Sequence, residues 1–198
     1  MTTPHTPAPT PADNQPGVTV HPGAERRLAI EHWLLSTLPN HQARAKARCQ
    51  WSEHGLAMLP LGGLVSAVRI PAALVQALAR TTILPATDTF LAGALEGGPV
   101  ICAVHGGRRY YVLVPGRVPH TRHDLVAQWE HQDIECLGRG AYLGVPPAGQ
   151  DHYASATQAS YWSVPMESAG ALCPPSTVAH FISAGVHALG QAEVESGA

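Results

Sequence analysis

The run Arg108-Arg109-Tyr110-Tyr111 carries side chains well suited to contacting a nucleic acid. Guanidinium groups pair with phosphate oxygens, and tyrosine rings stack on bases. The apolar residues after this run predict a β-strand that begins with it. Arg139, between two glycines, is predicted to project from a tight turn and to extend the basic surface. We therefore predict all five residues as nucleic-acid contacts; the alternative is that the tyrosines cap a core and the arginines form a solvated edge.

Acidic residues are sparse in the predicted strands, which bears on metal-dependent chemistry. Two-metal nucleotidyl transfer needs paired carboxylates, and we find no Asp-x-Asp or Asp-x-Glu pair within a predicted strand. Asp88, Asp124 and Asp133 could supply acids only from distant positions. We predict no metal ligands and no cofactor. Mg²⁺ or Mn²⁺ would be required only if these acids form a nucleotidyltransferase site.

Length and composition restrict the class of protein. At 198 residues the chain has the length of a single domain. A net charge of −2 gives no overall attraction for nucleic acid, so binding would need a local surface. The four cysteines form no Cys-x-x-Cys pair. Because we find neither a leader-like start nor a membrane-length apolar run, we expect a cytoplasmic protein without a membrane partner.

The order of predicted elements indicates one α+β domain with a mainly antiparallel sheet flanked by helices. Residues 1–23 are rich in Pro, Thr and Ala and are predicted to be a disordered tail. Residues 24–190 are predicted to form the domain and residues 191–198 to fray. Several strands are joined by turns too short for a parallel crossover. Gly62-Gly63 and Gly106-Gly107 predict hairpin turns.

Periodicity and capping residues place the individual elements. Thr87 or Asp88 is predicted to cap the N-terminus of the fourth helix. The predicted helices are 24–38, 41–54, 71–80, 87–95, 124–129 and 176–189, and the predicted strands are 56–60, 64–70, 99–104, 109–114, 134–137, 141–145 and 160–164.

Five segments of the chain resemble a known family. They are L-P-L-G-G-L-V-S-A-V-R-I-P-A-A-L-V (59–75), G-G-P-V-I-C (97–102), R-R-Y-Y-V-L-V-P-G (108–116), E-C-L-G-R-G-A-Y-L-G-V-P-P (135–147) and Y-W-S-V-P-M (161–166). Together they resemble short actinobacterial proteins grouped with the N-terminal domain of bifunctional DNA primase/polymerases. The resemblance implies an archaeo-eukaryotic primase-like fold and a setting in plasmid or mobile-element replication. We find no residues that match the family's metal-binding acidic pair.

Three functions fit these features. The leading hypothesis is a catalytically degenerate primase-polymerase-like domain that acts as a DNA-associated accessory or regulatory protein. It would serve replication or transfer of an actinobacterial mobile element, with DNA and replication proteins as partners. The second is an active nucleotidyltransferase, that is, a DNA primase/polymerase. The third is a protein-binding module without a nucleic-acid role, in which R-Y-Y-V-L-V-P forms an edge strand that pairs with a partner.

Overall fold

The computed structural model describes residues 22–130, 132–153 and 160–196. The predicted tail therefore lies almost entirely outside the described residues, as do His131 and the last two residues of the chain. The helices are α1 Pro22–Leu35, α2 His41–His54, α3 Ala72–Ala79, α4 Leu84–Ala94, α5 Val118–Thr121, α6 His123–Glu130 and α7 Pro175–Ser196. The strands are β1 Ala57–Pro60, β2 Val65–Pro71, β3 Val100–Ala103, β4 Arg109–Pro115, β5 Glu135–Leu137, β6 Tyr142–Val145 and β7 Ser160–Val164.

The predicted α+β class with a mainly antiparallel sheet is confirmed. A five-stranded sheet has the order β5-β2-β4-β3-β7, and a two-stranded sheet pairs β1 with β6. All pairs are antiparallel. The predicted hairpin at Gly106-Gly107 is confirmed, because β3 and β4 pair on either side of it. No described helix is both long and apolar enough to cross a membrane.

The predicted hairpin at Gly62-Gly63 is wrong. A tight turn does form there, with the Gly62 N–H donating to the Val65 carbonyl at 2.8 Å. However, β1 pairs with β6, whereas β2 pairs with β4 and β5. The turn therefore transfers the chain from one sheet to the other. The burial patterns differ as well: β1 alternates buried and exposed residues, whereas β2 is buried on both faces between the layers that cover the central sheet.

The predicted start of the fourth helix is also wrong. Helix α4 begins at Leu84, with Pro85 in its first turn, so Thr87 and Asp88 lie inside the helix. Proline is well tolerated in a first turn, where its missing N–H has no helical partner. The Thr87 hydroxyl donates to the Ile83 carbonyl at 3.0 Å, one turn back, rather than capping the helix. The last helix, in turn, runs to Ser196, well beyond the predicted end at residue 189.

The central sheet separates two hydrophobic cores. Alternate residues of β4 face opposite sides, so Val112 enters one core and Leu113 the other. The first core, between the sheet and helices α3, α4, α6 and α7, we call the α7-side core. The second, between the sheet and the layer of α1, α2, β1 and β6, we call the α1-side core. Strand β4 is central in the sheet, so the prediction that it forms an exposed edge is wrong.

Candidate functional site

Part of the predicted arginine–tyrosine run lies on one half-exposed face of the central sheet. Arg69 of β2 stands directly opposite Tyr111 of β4, and Arg109 lies two residues before Tyr111 on the same face. All three side chains are partly exposed. Directly opposed residues of an antiparallel pair have Cβ atoms about 5 Å apart, within contact range. We call Arg69, Arg109 and Tyr111 the sheet patch.

The two arginines of the sheet patch differ in their partners. The Arg69 Nη2 atom lies 3.2 Å from Glu135 Oε2 and 3.7 Å from Asp133 Oδ1. The Arg109 Nη1 atom instead donates to the Arg108 carbonyl at 3.1 Å, and the guanidinium pairs with no carboxylate among the residues described. Arg109 is therefore the patch cation that is available to a ligand.

Arg108 and Tyr110 lie on the opposite face of the sheet. Tyr110 is fully buried in the α7-side core, so its ring is closed to a nucleic-acid base in this conformation. Arg108 reaches across to helix α4, where its Nη1 donates to the Thr82 carbonyl just before the helix, at 3.0 Å. The sequence prediction assigned all four consecutive residues to one nucleic-acid surface, but side chains in a strand alternate between the two faces of the sheet. The structure thus divides the run into two pairs.

Arg139 is exposed in the turn between β5 and β6 and lies far from the sheet patch. Strand β2 provides the scale for this distance. Its Pro71 pairs with Arg109 of β4, and its Ala67, four residues further along, pairs with Leu137 of β5. Arg139 lies two residues further in the same direction. At the usual strand rise, six residues correspond to roughly 20 Å. A single phosphate cannot bridge Arg109 and Arg139.

An acidic pair that the sequence patterns did not predict lies beside the sheet patch. Asp133-Ile134-Glu135 has the spacing Asp-x-Glu, but the predicted strand began at Ile134 and so excluded Asp133. In the structure β5 begins at Glu135, and Asp133 occupies a turn with φ +55°. Both carboxylates contact the Arg69 guanidinium. Their convergence was detectable in the sequence only with knowledge that β5 pairs with β2.

Asp88 belongs to a polar cluster behind the sheet, in the α7-side core. Its carboxylate accepts hydrogen bonds from the Tyr161 hydroxyl, at 3.0 Å to each oxygen, and from the Ser163 hydroxyl. Tyr161 and Ser163 are two residues apart in β7, so their side chains lie on the same face of the strand and both reach helix α4. Desolvation raises the pKa of Asp88, although these two hydroxyls and the Arg108 charge oppose that shift.

The Cys102 thiol also belongs to this cluster and is fully buried. Burial raises its pKa to about 11, so it remains a thiol at neutral pH. Burial likewise raises the pKa of the Tyr110 and Tyr161 hydroxyls. A nucleophilic cysteine needs the opposite shift. The cluster therefore resembles a structural hydrogen-bond network around one half-buried acid.

The three acids considered for a nucleotidyltransferase occupy different surroundings. Asp88 binds β7 hydroxyls, Asp133 contacts Arg69, and Asp124 is exposed beside Arg122, whose hydrogen bond lowers the pKa of the Asp124 carboxyl. Within the described ranges, no three His, Cys, Asp or Glu side chains lie close enough to hold a metal ion. Asp133 and Glu135 are suitable oxygen ligands for Mg²⁺, but the Arg69 guanidinium occupies the position between them.

Comparison with known proteins identifies no relative of this chain. No protein-family model, no curated protein and no solved structure gives a significant match to the chain. The primase-polymerase resemblance therefore stays a prediction.

Proposed function

We propose that this protein is a DNA-associated accessory protein that contacts single-stranded nucleic acid through the sheet patch. The observation that carries the proposal is the placement of Arg109 and Tyr111 on one half-exposed face of a central strand. An aromatic ring beside a cation on a sheet face is the arrangement with which many single-strand binders stack a base and hold its phosphate.

The charges around the patch limit the strength of this binding. Asp133 and Glu135 neutralise much of Arg69, and the net charge of the chain is −2. Binding would therefore depend on base stacking more than on phosphate contacts. We expect a shallow salt dependence, with a slope of log K against log salt near −1, because each phosphate contact to a single strand contributes about −0.7.

Fluorescence anisotropy of a labelled single-stranded oligonucleotide tests the proposal directly. Tyr111→Leu should weaken binding by about 5- to 150-fold, since base–aromatic stacking contributes about 1–3 kcal/mol. Arg109→Gln should weaken binding and flatten the salt dependence. Arg108→Gln is the matched control, because its guanidinium lies on the other face of the sheet.

Tyr142→Leu is the aromatic control, because Tyr142 is 62% exposed but belongs to β6 in the other sheet. Binding that responds equally to Tyr111→Leu and Tyr142→Leu would contradict the assignment of the patch. A flat titration at tens of micromolar protein in low salt would remove the nucleic-acid proposal altogether.

The Asp133–Glu135 pair favours a second candidate function, a metal-dependent nucleotidyltransferase. Two carboxylates within reach of one guanidinium could instead bind a divalent ion if Arg69 moved aside. Bound there by Asp133 and Glu135, Mg²⁺ or Mn²⁺ would supply charge neutralisation for phosphoryl transfer. Primer extension that needs the metal and is abolished by both Asp133→Asn and Glu135→Gln, but not by Asp124→Asn, would establish this function over the accessory role.

The resemblance also supports a setting in mobile-element replication, with replication proteins as partners, and a cytoplasmic location fits that setting. Those parts of the proposal depend on the five motif segments and not on the sheet patch.

A further inference from the structure

A cavity of about 630 Å³ lies on the α1 side of the molecule, away from the residues assigned above. Its volume falls within the usual range for small-molecule sites. The first turns of α1 form one wall, and the loop after β6 together with the segment after β7 forms the other. None of the sheet-patch residues lines it.

The floor of this cavity is apolar and well packed. Ile30, Trp162, Val164 and Met166 line it, and each is at most 5% exposed. All but Val164 belong to the α1-side core. The indole nitrogen of Trp162 donates to the carbonyls of Pro146 and Pro147 at 3.2 Å, which fixes the ring. The floor is therefore a fixed apolar layer beneath the opening.

Two cations stand at the mouth of the cavity. Arg26 and Arg27 both line it, and within the described part of the chain neither guanidinium has a hydrogen bond or an ion pair. Gly149, at φ +95°, lets the Arg27 side chain pass close to the backbone, since a Cβ there would lie 2.9 Å from Arg27 Cδ. The backbone thus supports Arg27 beside the opening.

Two carboxylates also line the mouth and must be weighed against the arginines. Asp151 contacts His152, whose Nδ1 lies 3.0 Å from Asp151 Oδ1, and it keeps its negative charge wherever that imidazole is neutral. Glu167 is exposed and has no partner among the residues described. Within the described part of the chain neither carboxylate contacts Arg26 or Arg27, so both guanidiniums are available to a ligand. Guanidinium groups bind carboxylate, sulfonate or phosphate oxygens through paired hydrogen bonds.

From this arrangement we propose that the cavity binds a small amphipathic anion. The apolar body would lie on the floor beside Ile30 and Met166, and the anionic head would be held by Arg26 and Arg27. Recognition needs both parts of the ligand. Inorganic phosphate has no apolar group to pack on the floor, and a neutral apolar molecule has no oxygen anion to accept hydrogen bonds from the arginines. This inference is independent of the proposed contact with nucleic acid.

Titration of the full chain with 8-anilinonaphthalene-1-sulfonate tests this proposal, because its rings and sulfonate reproduce the expected ligand. We expect saturable binding of one molecule per chain. The double variant Arg26→Gln/Arg27→Gln should lower the affinity at least about tenfold, as expected for the loss of charge-assisted hydrogen bonds. Glu167→Gln should leave the affinity equal or higher, because it removes the opposing charge.

The matched control is Lys46→Gln/Arg48→Gln on α2, which changes the net charge equally at exposed positions that do not line the cavity. Decanoate should displace the probe, while 1-decanol at the same concentration and inorganic phosphate should displace it weakly. The proposal is overturned by non-saturable binding, by equal losses in the two double variants, or by decanol competing as well as decanoate. Thermal unfolding of each variant shows whether a loss of binding reflects a loss of fold.

Discussion

At the scale of single residues, the hydroxyl of Tyr161 joins helix α4 to strand β7. Tyr161 is fully buried, and its hydroxyl donates to the Asp88 carboxylate at 3.0 Å. Tyr161→Phe removes only this donor, and we expect it to lower the free energy of unfolding by about 1.5–3 kcal/mol, the usual range for a hydrogen bond to a charged group. Urea unfolding at pH 7 measures the change.

Tyr110→Phe is the matched control for that substitution. Tyr110 is equally buried in the same core, but its hydroxyl makes no hydrogen bond within the described part of the chain, although Cys102 and Arg108 lie near it. Removing an unsatisfied buried hydroxyl should be close to neutral or stabilising. A loss for Tyr110→Phe as large as that for Tyr161→Phe would show that the Asp88 bond is not the source of the effect.

Asp88 itself should make stability depend on pH. Burial raises its pKa in the folded protein above the ordinary value of 3.8, so the folded state binds this proton more tightly than the unfolded state does. The resulting stabilisation is complete below pH 3.8 and is lost as pH rises through the folded-state pKa. Because asparagine does not titrate, the stability of Asp88→Asn relative to the wild type should improve from pH 3 to pH 7. Urea unfolding at both pH values, with Asp151→Asn as an exposed control, measures this difference.

At the scale of elements, the turns at one end of the central sheet are packed backbone against backbone. A Cβ added at Gly116, just after β4, would lie 1.9 Å from the Gly63 carbonyl oxygen. Gly116→Ala should therefore displace two turns and lower the free energy of unfolding by about 3 kcal/mol or more. Gly63→Ala is the control, because an added Cβ there meets nothing within 4 Å. Chemical unfolding of both variants measures the contrast, and equal effects would contradict it.

The same elements show what could be predicted from the sequence. Helix α2 has its predicted bounds because Asn40 caps its first turn and Gly55 ends it with φ +66°, and both signals are local. The strand with which β1 pairs cannot be predicted from local sequence. The turn at Gly62 is compatible with a β1–β2 hairpin and equally with a chain that passes from one sheet to the other. The contact of Asp133 and Glu135 with Arg69 is not a local property either, because it depends on the pairing of β5 with β2.

The candidate site shows the limit of residue grouping in a strand. Arg109 and Tyr111 share a face because they are two residues apart, and Arg108 and Tyr110 share the other face. A strand prediction already contains this alternation. A strand prediction does not show which face of the strand is buried, because that burial depends on helices from distant parts of the chain that pack on the sheet. Tyr110 is consequently a core residue, whereas Tyr111 is partly exposed.

At the scale of the whole molecule, one sheet is shared by both cores, and this should make the domain unfold as a single unit. Neighbouring residues of β4 enter opposite cores, so neither core can form without the strand that belongs to the other. We expect Leu74→Ala, in the α7-side core, and Leu34→Ala, in the α1-side core, each to cost about 2–5 kcal/mol. Each substitution should shift the single unfolding transition of the whole domain and should not produce a second unfolding transition.

The tryptophans allow the two sides to be observed separately. Trp129 lies in the α7-side core, whereas Trp33, Trp51 and Trp162 lie on the α1 side. In a Trp129→Phe background, fluorescence therefore reports the α1 side while far-ultraviolet circular dichroism reports all helices. Coincident transitions by both probes, in the parent and in both leucine variants, are expected for one cooperative unit. If Leu34→Ala moved the fluorescence transition alone, the layer of α1, α2, β1 and β6 would unfold independently. The central sheet would then support that layer without depending on it.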